Sequence, residues 1–199
     1  HSHQASDWIQ QRVDDVKDKL TASENKLQQF RQLHNIIDIS SDVELVKQEI
    51  AQLFLERREL SRQSQELTIL LGKIATLQQD FEQLSNIPEV SSVPVIASLQ
   101  QQLSMQQAEF AQLKLSYLPK HPRYIAAAKK IEVSAQQLKS EIDKLTHNYR
   151  VRQTDLRRML DQVELKVSRA TANLESLVNI GQEHKKFEAE IQANLHLLN

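Results

Sequence analysis

PRYIAAAKKIEVSAQQLKSEIDKLTHNYRVRQTDLRRMLDQVELKVSRATANLESLVNIGQEHKKFEAEIQANLHLLN, residues 122–199, decides the fold. Within it Ala128, Ala135, Ile142, Tyr149, Leu156, Val163, Ala170, Leu177, His184, Ile191 and Leu198 stand seven apart. A spacing of seven returns to the same stripe of an α-helix after two turns. A partner column moves from Leu138 and Leu145 to Leu160, Val167 and Leu174. Pro122 suits the first turn, because a proline there gives up no helical hydrogen bond. Gly181 reads as a joint near residue 180.

The same pattern extends backwards through the chain. From Asp7 to Ile37 the residues Ile9, Val13, Val16, Leu20, Leu27, Phe30 and Ile37 alternate steps of four and three. Ser23 and His34 fill the missing seam positions, and Ser6 or Asp7 is placed to cap the start. From Val43 to Ile87 the seam holds Val46, Leu53, Leu60, Leu67, Ile74 and Phe81. Its companions Ile50, Arg57, Ser64, Leu71 and Gln78 are half polar, and Leu70, Leu77 and Leu84 then take over. That drift is expected of a helix with 3.6 residues per turn against a 3.5 repeat. From Val95 to Tyr117 the seam is Leu99, Leu103, Phe110, Leu113 and Tyr117, with Gln106 polar. Outward pairs such as Asp15–Lys19 and Asp155–Arg158 add only tenths of a kcal/mol each.

Three interruptions separate these runs. At Asp38–Asp42, Ser41 and Glu44 have capping-box spacing, so a new helix is expected there. Asn86–Pro94 holds two prolines and two serines, the strongest break. Leu118 and His121 each precede a proline, which disfavours helix at both. Asp7–Ile87 and Val95–Val178 are near-equal arms, each on the order of 120 Å as helix. The expected fold is therefore all-α: an elongated antiparallel coiled-coil hairpin, 7–178, with its tip near 86–95 and breaks near 38–42 and 118–122. An up-down bundle of four unequal helices is the alternative. Residues 1–6 read as a tag-like start and 179–199 as a helix leading back to a base domain. The chain reads as an excised piece.

Composition fits long helices and excludes much else. The 199 residues include only 2 Gly and 4 Pro, too few turn formers for sandwiches, barrels or doubly wound sheets. Apolar residues reach 40% at net charge −1, too apolar and too neutral for disorder. That neutrality also argues against a nucleic-acid footprint. No Cys is present, which removes disulfides, thiolate metal sites and cysteine nucleophiles. No GxGxxG, GxxxxGK[ST], HExxH or GxSxG pattern occurs. Catalytic, cofactor and metal sites are accordingly all expected to be absent. Trp8 reads either as an anchor on another domain or as ordinary seam packing.

Two stretches carry a family resemblance. DWIQQRVDDVKDKLTASENKLQQFRQLHNIID, Asp7–Asp38, has Trp8-Ile9, regularly spaced apolar residues, Ala22-Ser23-Glu24, Phe30-Arg31 and then Asn35. Tyr117-Leu118-Pro119-Lys120-His121-Pro122 forms an aromatic–x–Pro–x–His–Pro element. Both resemble the bacterial polysaccharide co-polymerases, the Wzz/GumC-type chain-length determinants. Gln182–Asn199 is similar to the helix by which that family re-enters its membrane-proximal domain. The resemblance implies a periplasmic helical part of an inner-membrane protein with two membrane helices. It further implies homo-oligomeric rings that control chain length and export of exopolysaccharide, capsule or O-antigen. The implied partners are a polysaccharide polymerase or an outer-membrane export channel, and the polysaccharide itself. The implied family positions are Trp8, Phe30, Arg31, Asn35, Tyr117, Pro119, His121 and Pro122. The α-hairpin of a periplasmic secretion adaptor and a cytosolic coiled-coil tether are alternative readings of the same heptads.

Overall fold

The computed structural model describes residues 2–36, 38–77 and 80–199, so Ile37 and Gln78 of the expected seam lie outside the described residues. The chain is all-α, with no strand among the described residues. Among the described residues six helices follow in order: α1 Ser2–His34, α2 Ile39–Thr76, α3 Phe81–Leu84, α4 Pro88–Ser91, α5 Pro94–Leu113 and α6 Pro122–Leu198. α1 begins at Ser2, ahead of the Ser6 or Asp7 cap that was expected. The helices form two compact units, to both of which α2 and α6 contribute.

The first unit holds residues 1–57 and 162–199. In it α1 and the start of α2 run antiparallel to the end of α6. Asn194 Nδ2 donates to Ser23 Oγ at 3.1 Å, and Phe30 meets Phe187 with ring centres 5.1 Å apart. Arg57 Nη1 donates to Glu164 Oε1 at 3.2 Å. Numbers rise on one strand of the seam as they fall on the other. Ser23, Leu27, Phe30, Val46, Leu53, Val163 and Ala170 are buried along it. Ile9, expected in the seam, is 56% exposed, and the seam closes only from Val13 onward.

The α1–α2 break offsets the chain without reversing it, because α1 and α2 pair with α6 in the same sense. Asn35 takes a left-handed φ of 51°. The Ile36 N–H donates to the Arg31 carbonyl at 3.0 Å, closing α1 with a Schellman-type turn. Asparagine is among the few non-glycine residues that adopt this conformation readily. Asp38 then caps α2: its Oδ1 accepts from the Ser41 N–H at 3.1 Å. The cap is thus three residues earlier than the Ser41 and Glu44 spacing suggested. A carboxylate there satisfies an orphan N–H and faces the positive helix end. α6 continues as ordinary helix through Gly181, where a flexible joint was expected. A Cβ at Gly181 would touch Ile39 Cγ2 at 3.4 Å, an ordinary contact.

The second unit holds residues 58–161. Here α6 changes partner. α2 runs antiparallel to it, with Gln153 Nε2 donating to Thr68 Oγ1 at 2.7 Å and Ile74 reaching the cluster around Ile142. α5 then takes over, also antiparallel: Ser134 Oγ donates to Gln106 Oε1 at 2.6 Å, and Phe110 meets Tyr124 edge-on at 4.8 Å. Where the two partners exchange, Ile74, Leu84, Ile87, Val90, Ile96, Leu103, Leu138 and Ile142 form the core.

This geometry relocates the hairpin tip. The expected tip, 86–95, is a passage from α2 to α5, both antiparallel to α6. The chain reverses at 114–121 instead, between α5 and α6. Two features explain the difference. Leu84, Ile87 and Val90 recur every third residue and are buried at 0%, 8% and 0% exposure, so the passage stays against the core. Pro88 and Pro94 each start a helix rather than turn the chain. α2 ends at Thr76, eleven residues before the expected Ile87. Asp80 starts α3, its Oδ1 accepting the Gln83 N–H at 3.1 Å.

Candidate functional site

The family-resemblance residues fall at two places, one in each unit, plus Trp8. In the second unit Tyr117, Pro119, His121 and Pro122 build the reversal. The His121 N–H donates to the Leu118 carbonyl at 2.9 Å, which closes a β-turn with Pro119 and Lys120 at its centre. Proline presets the backbone angle at the first central position. Lys120 has no positive φ, which fits a type I turn. Pro122 opens α6.

His121 is the residue that joins turn to helix. Its carbonyl accepts the first α6 hydrogen bond, from Ile125 N–H at 3.1 Å. Its ring Nδ1 accepts from the Arg123 N–H at 3.1 Å, so the imidazole caps the helix. Accepting at Nδ1 places the ring proton on Nε2. The ring also packs against Tyr117, tilted by 40° with ring centres 4.3 Å apart. Arg123 Nη1 donates to Tyr117 Oη at 2.9 Å, with its guanidinium 5.6 Å from the same ring. Two prolines fix the backbone and these three side chains clasp it.

In the first unit Phe30, Arg31 and Asn35 secure the end of α1. Phe30 is buried between His34, at 4.6 Å, and Phe187. Arg31 Nε donates to His184 Nε2 at 3.0 Å. His184 Nδ1 lies 3.3 Å from Glu188 Oε1, and Arg31 Nη2 lies 3.9 Å from the same oxygen. Accepting at Nε2 puts the His184 proton on Nδ1, facing Glu188. His184, a seam position, therefore has both nitrogens engaged. His34 is exposed, although the spacing placed it in the seam. Beside this cluster runs an open groove of about 460 Å³ lined by Arg31, Ile36, Asp38, Ile39, Ser40 and His184.

Trp8 belongs to neither cluster. It is 62% exposed, with Arg12 5.6 Å from its ring centre, so seam packing does not account for it. Arg57, in the half-polar column, is half-buried and stacks 4.7 Å from Phe54 while pairing with Glu164. Of the two outward pairs, Arg158–Asp155 forms at 3.1 Å, and Asp15–Lys19 makes no ion pair.

Other polar groups are used structurally. Tyr149, in the long column, donates its hydroxyl to the Glu89 carbonyl at 3.1 Å, fixing α4 to α6. Burial, with the Glu89 carboxylate nearby, pushes its phenol above the ordinary value. On α2 the exposed Arg62 bonds Glu59 and Glu66, each at 2.6 Å. That contact draws the Glu59 carboxyl down to about 2. Among the described residues no three His, Asp or Glu side chains are grouped to hold a metal. No helix among them is long and apolar enough to cross a membrane.

Sequence reasoning did not single out the Gln106–Ser134 bond, the Ser23–Asn194 bond or the Arg31–His184–Glu188 cluster. Gln106, Ser23 and His184 were visible as polar residues in apolar columns. Their partners were not, because pairing across a seam depends on the register between helices. Comparison of the chain with family models, curated proteins and solved structures finds no match.

Proposed function

We propose that this chain is the helical periplasmic part of a bacterial polysaccharide co-polymerase. In this reading it acts as an oligomeric scaffold that sets polysaccharide chain length and export, and it is not an enzyme. The observation that carries the reading is the work done by the aromatic–x–Pro–x–His–Pro element. Tyr117, Pro119, His121 and Pro122 each have a separate task in one turn, so this pattern is more than a chance interruption of a coiled coil. The Phe30-Arg31 and Asn35 stretch supports it in the same way, through packing, a cross-seam bond and a left-handed helix stop. Long polar faces beside a narrow apolar seam suit lateral association in a ring, with a polymerase or an export channel as partner.

The test is genetic and biochemical. Deleting the gene in its host should broaden or shift the size distribution of surface polysaccharide, read on gels. Complementation should restore the modal length. An unchanged distribution overturns the proposal. Loss of protein or small-molecule export with normal polysaccharide would instead favour the α-hairpin of a secretion adaptor.

A further inference from the structure

The reversal between α5 and α6 carries exposed apolar side chains that its own fold does not use, beside cations of which Arg123 is held on Tyr117 and Lys114 lies 4.5 Å from the Phe110 ring centre. Leu115 and Leu118 are 88% and 79% exposed, and Ile125 on the first turn of α6 is 55% exposed. Leu115 and Leu118 rank with Leu33 as the most exposed large apolar side chains among the described residues. Exposed leucines scattered along a helix need no explanation, but here they gather at one turn. Beside them in the chain stand Lys114, Lys120 and Arg123, and beyond them Lys129, which pairs with Glu132 at 3.5 Å. No Asp or Glu occurs from residue 110 to 131, in a chain whose net charge is −1. The cations are thus segregated here rather than interspersed with carboxylates as on the helix arms.

We propose that the turn at 114–121 docks on an anionic lipid surface, with Leu115, Leu118 and Ile125 entering the headgroup boundary and Lys114 and Lys120 facing lipid phosphates. Three points favour a bilayer. The leucines protrude so far that they enclose no small ligand. Aliphatic side chains flanked in the chain by Lys match the layering of an interface, with an apolar interior beneath anionic headgroups. The two prolines, the His121 cap and the Tyr117–Arg123 clasp keep the turn preformed, so little ordering is needed on contact. This inference stands apart from the polysaccharide function proposed above.

Vesicle flotation of the 199-residue chain tests it. Phosphatidylcholine–phosphatidylglycerol vesicles should bind at low salt and pure phosphatidylcholine should not. Binding should collapse at 1 M NaCl, where the screening length is about 3 Å. Lys120→Gln should weaken binding about fivefold. Leu115→Ser with Leu118→Ser should weaken it on the order of a hundredfold. Circular dichroism checks that both variants keep their helices. A Leu118→Trp reporter in a Trp8→Phe background should shift to the blue only with anionic vesicles. Equal binding to both vesicle types, no binding to either, or unchanged binding by the variants overturns the proposal. The second of these outcomes would direct the search to an acidic protein surface.

Discussion

Leu138→Ala tests the claim that α6 changes partners around one core. Leu138 is 0% exposed and packs with Ile74 from α2, Leu84, Ile87 and Val90 from the passage, and Ile96 and Leu103 from α5. The substitution removes three carbons, about 2.4 kcal/mol at roughly 0.8 kcal/mol for each. The vacated space adds a cavity term, since helices crowded from three sides cannot all relax inward. A total of about 3–4 kcal/mol is expected. Leu165→Ala on the same helix is the control: Leu165 is 50% exposed, and its loss should cost under about 1 kcal/mol. Urea unfolding followed by circular dichroism measures both. Hydrogen exchange localises the effect, and Leu138→Ala should deprotect peptides spanning 84–103 and 131–149 together. Equal costs for the two variants, or deprotection of α6 alone, would refute the partner exchange.

Gly72→Ala should stabilise α2 by about 1 kcal/mol, because glycine is a poor helix former and an added Cβ meets nothing within 4 Å. A lowered melting temperature would mean that the helix is distorted there. His121→Ala should cost about 1 kcal/mol through the lost cap, and His121→Asn should recover most of it. Equal losses in both variants would show that the packing against Tyr117 matters more than the cap. The Glu59 carboxyl should titrate by NMR near 2, against an ordinary 4.5, and return toward 4.5 in Arg62→Gln. A lowered folded-state value means that the stabilisation is fully present above the ordinary value of 4.5 and is lost as pH falls toward 2. The pair is exposed, so added salt should raise the midpoint.

The seven-residue column from Ala128 to Leu198 announced α6 with little ambiguity. All eleven of its positions are buried or half-buried. A stripe of that length needs no tertiary information, since every member lies on the same helix and the period alone defines the face. Helix starts were half legible. Pro122 reads as a helix start, whereas Pro88 and Pro94, which also open helices, read as a break. The caps Asp38 and Asp80 were hidden, because many polar residues nearby offered the same chemistry.

The direction of the chain after each break was the harder matter. A proline-rich break ends a helix, and by itself it does not say whether the next helix returns or proceeds. Near-equal arm lengths pointed to 86–95, yet the reversal is at 114–121. That choice belongs to side chains distant in sequence: Leu84, Ile87 and Val90 held against Leu138 and Ile142, and Gln106 bonded to Ser134. The same holds for the polar seam. Ser23, Gln106 and His184 were visible as exceptions, and only the register between helices selected Asn194, Ser134 and Arg31 as their partners. Local pattern, set by covalent geometry and solvent, determined where the helices are and which faces they bury. Turning sense and cross-seam pairing were decided by packing, because those energies exist only once two distant stretches meet.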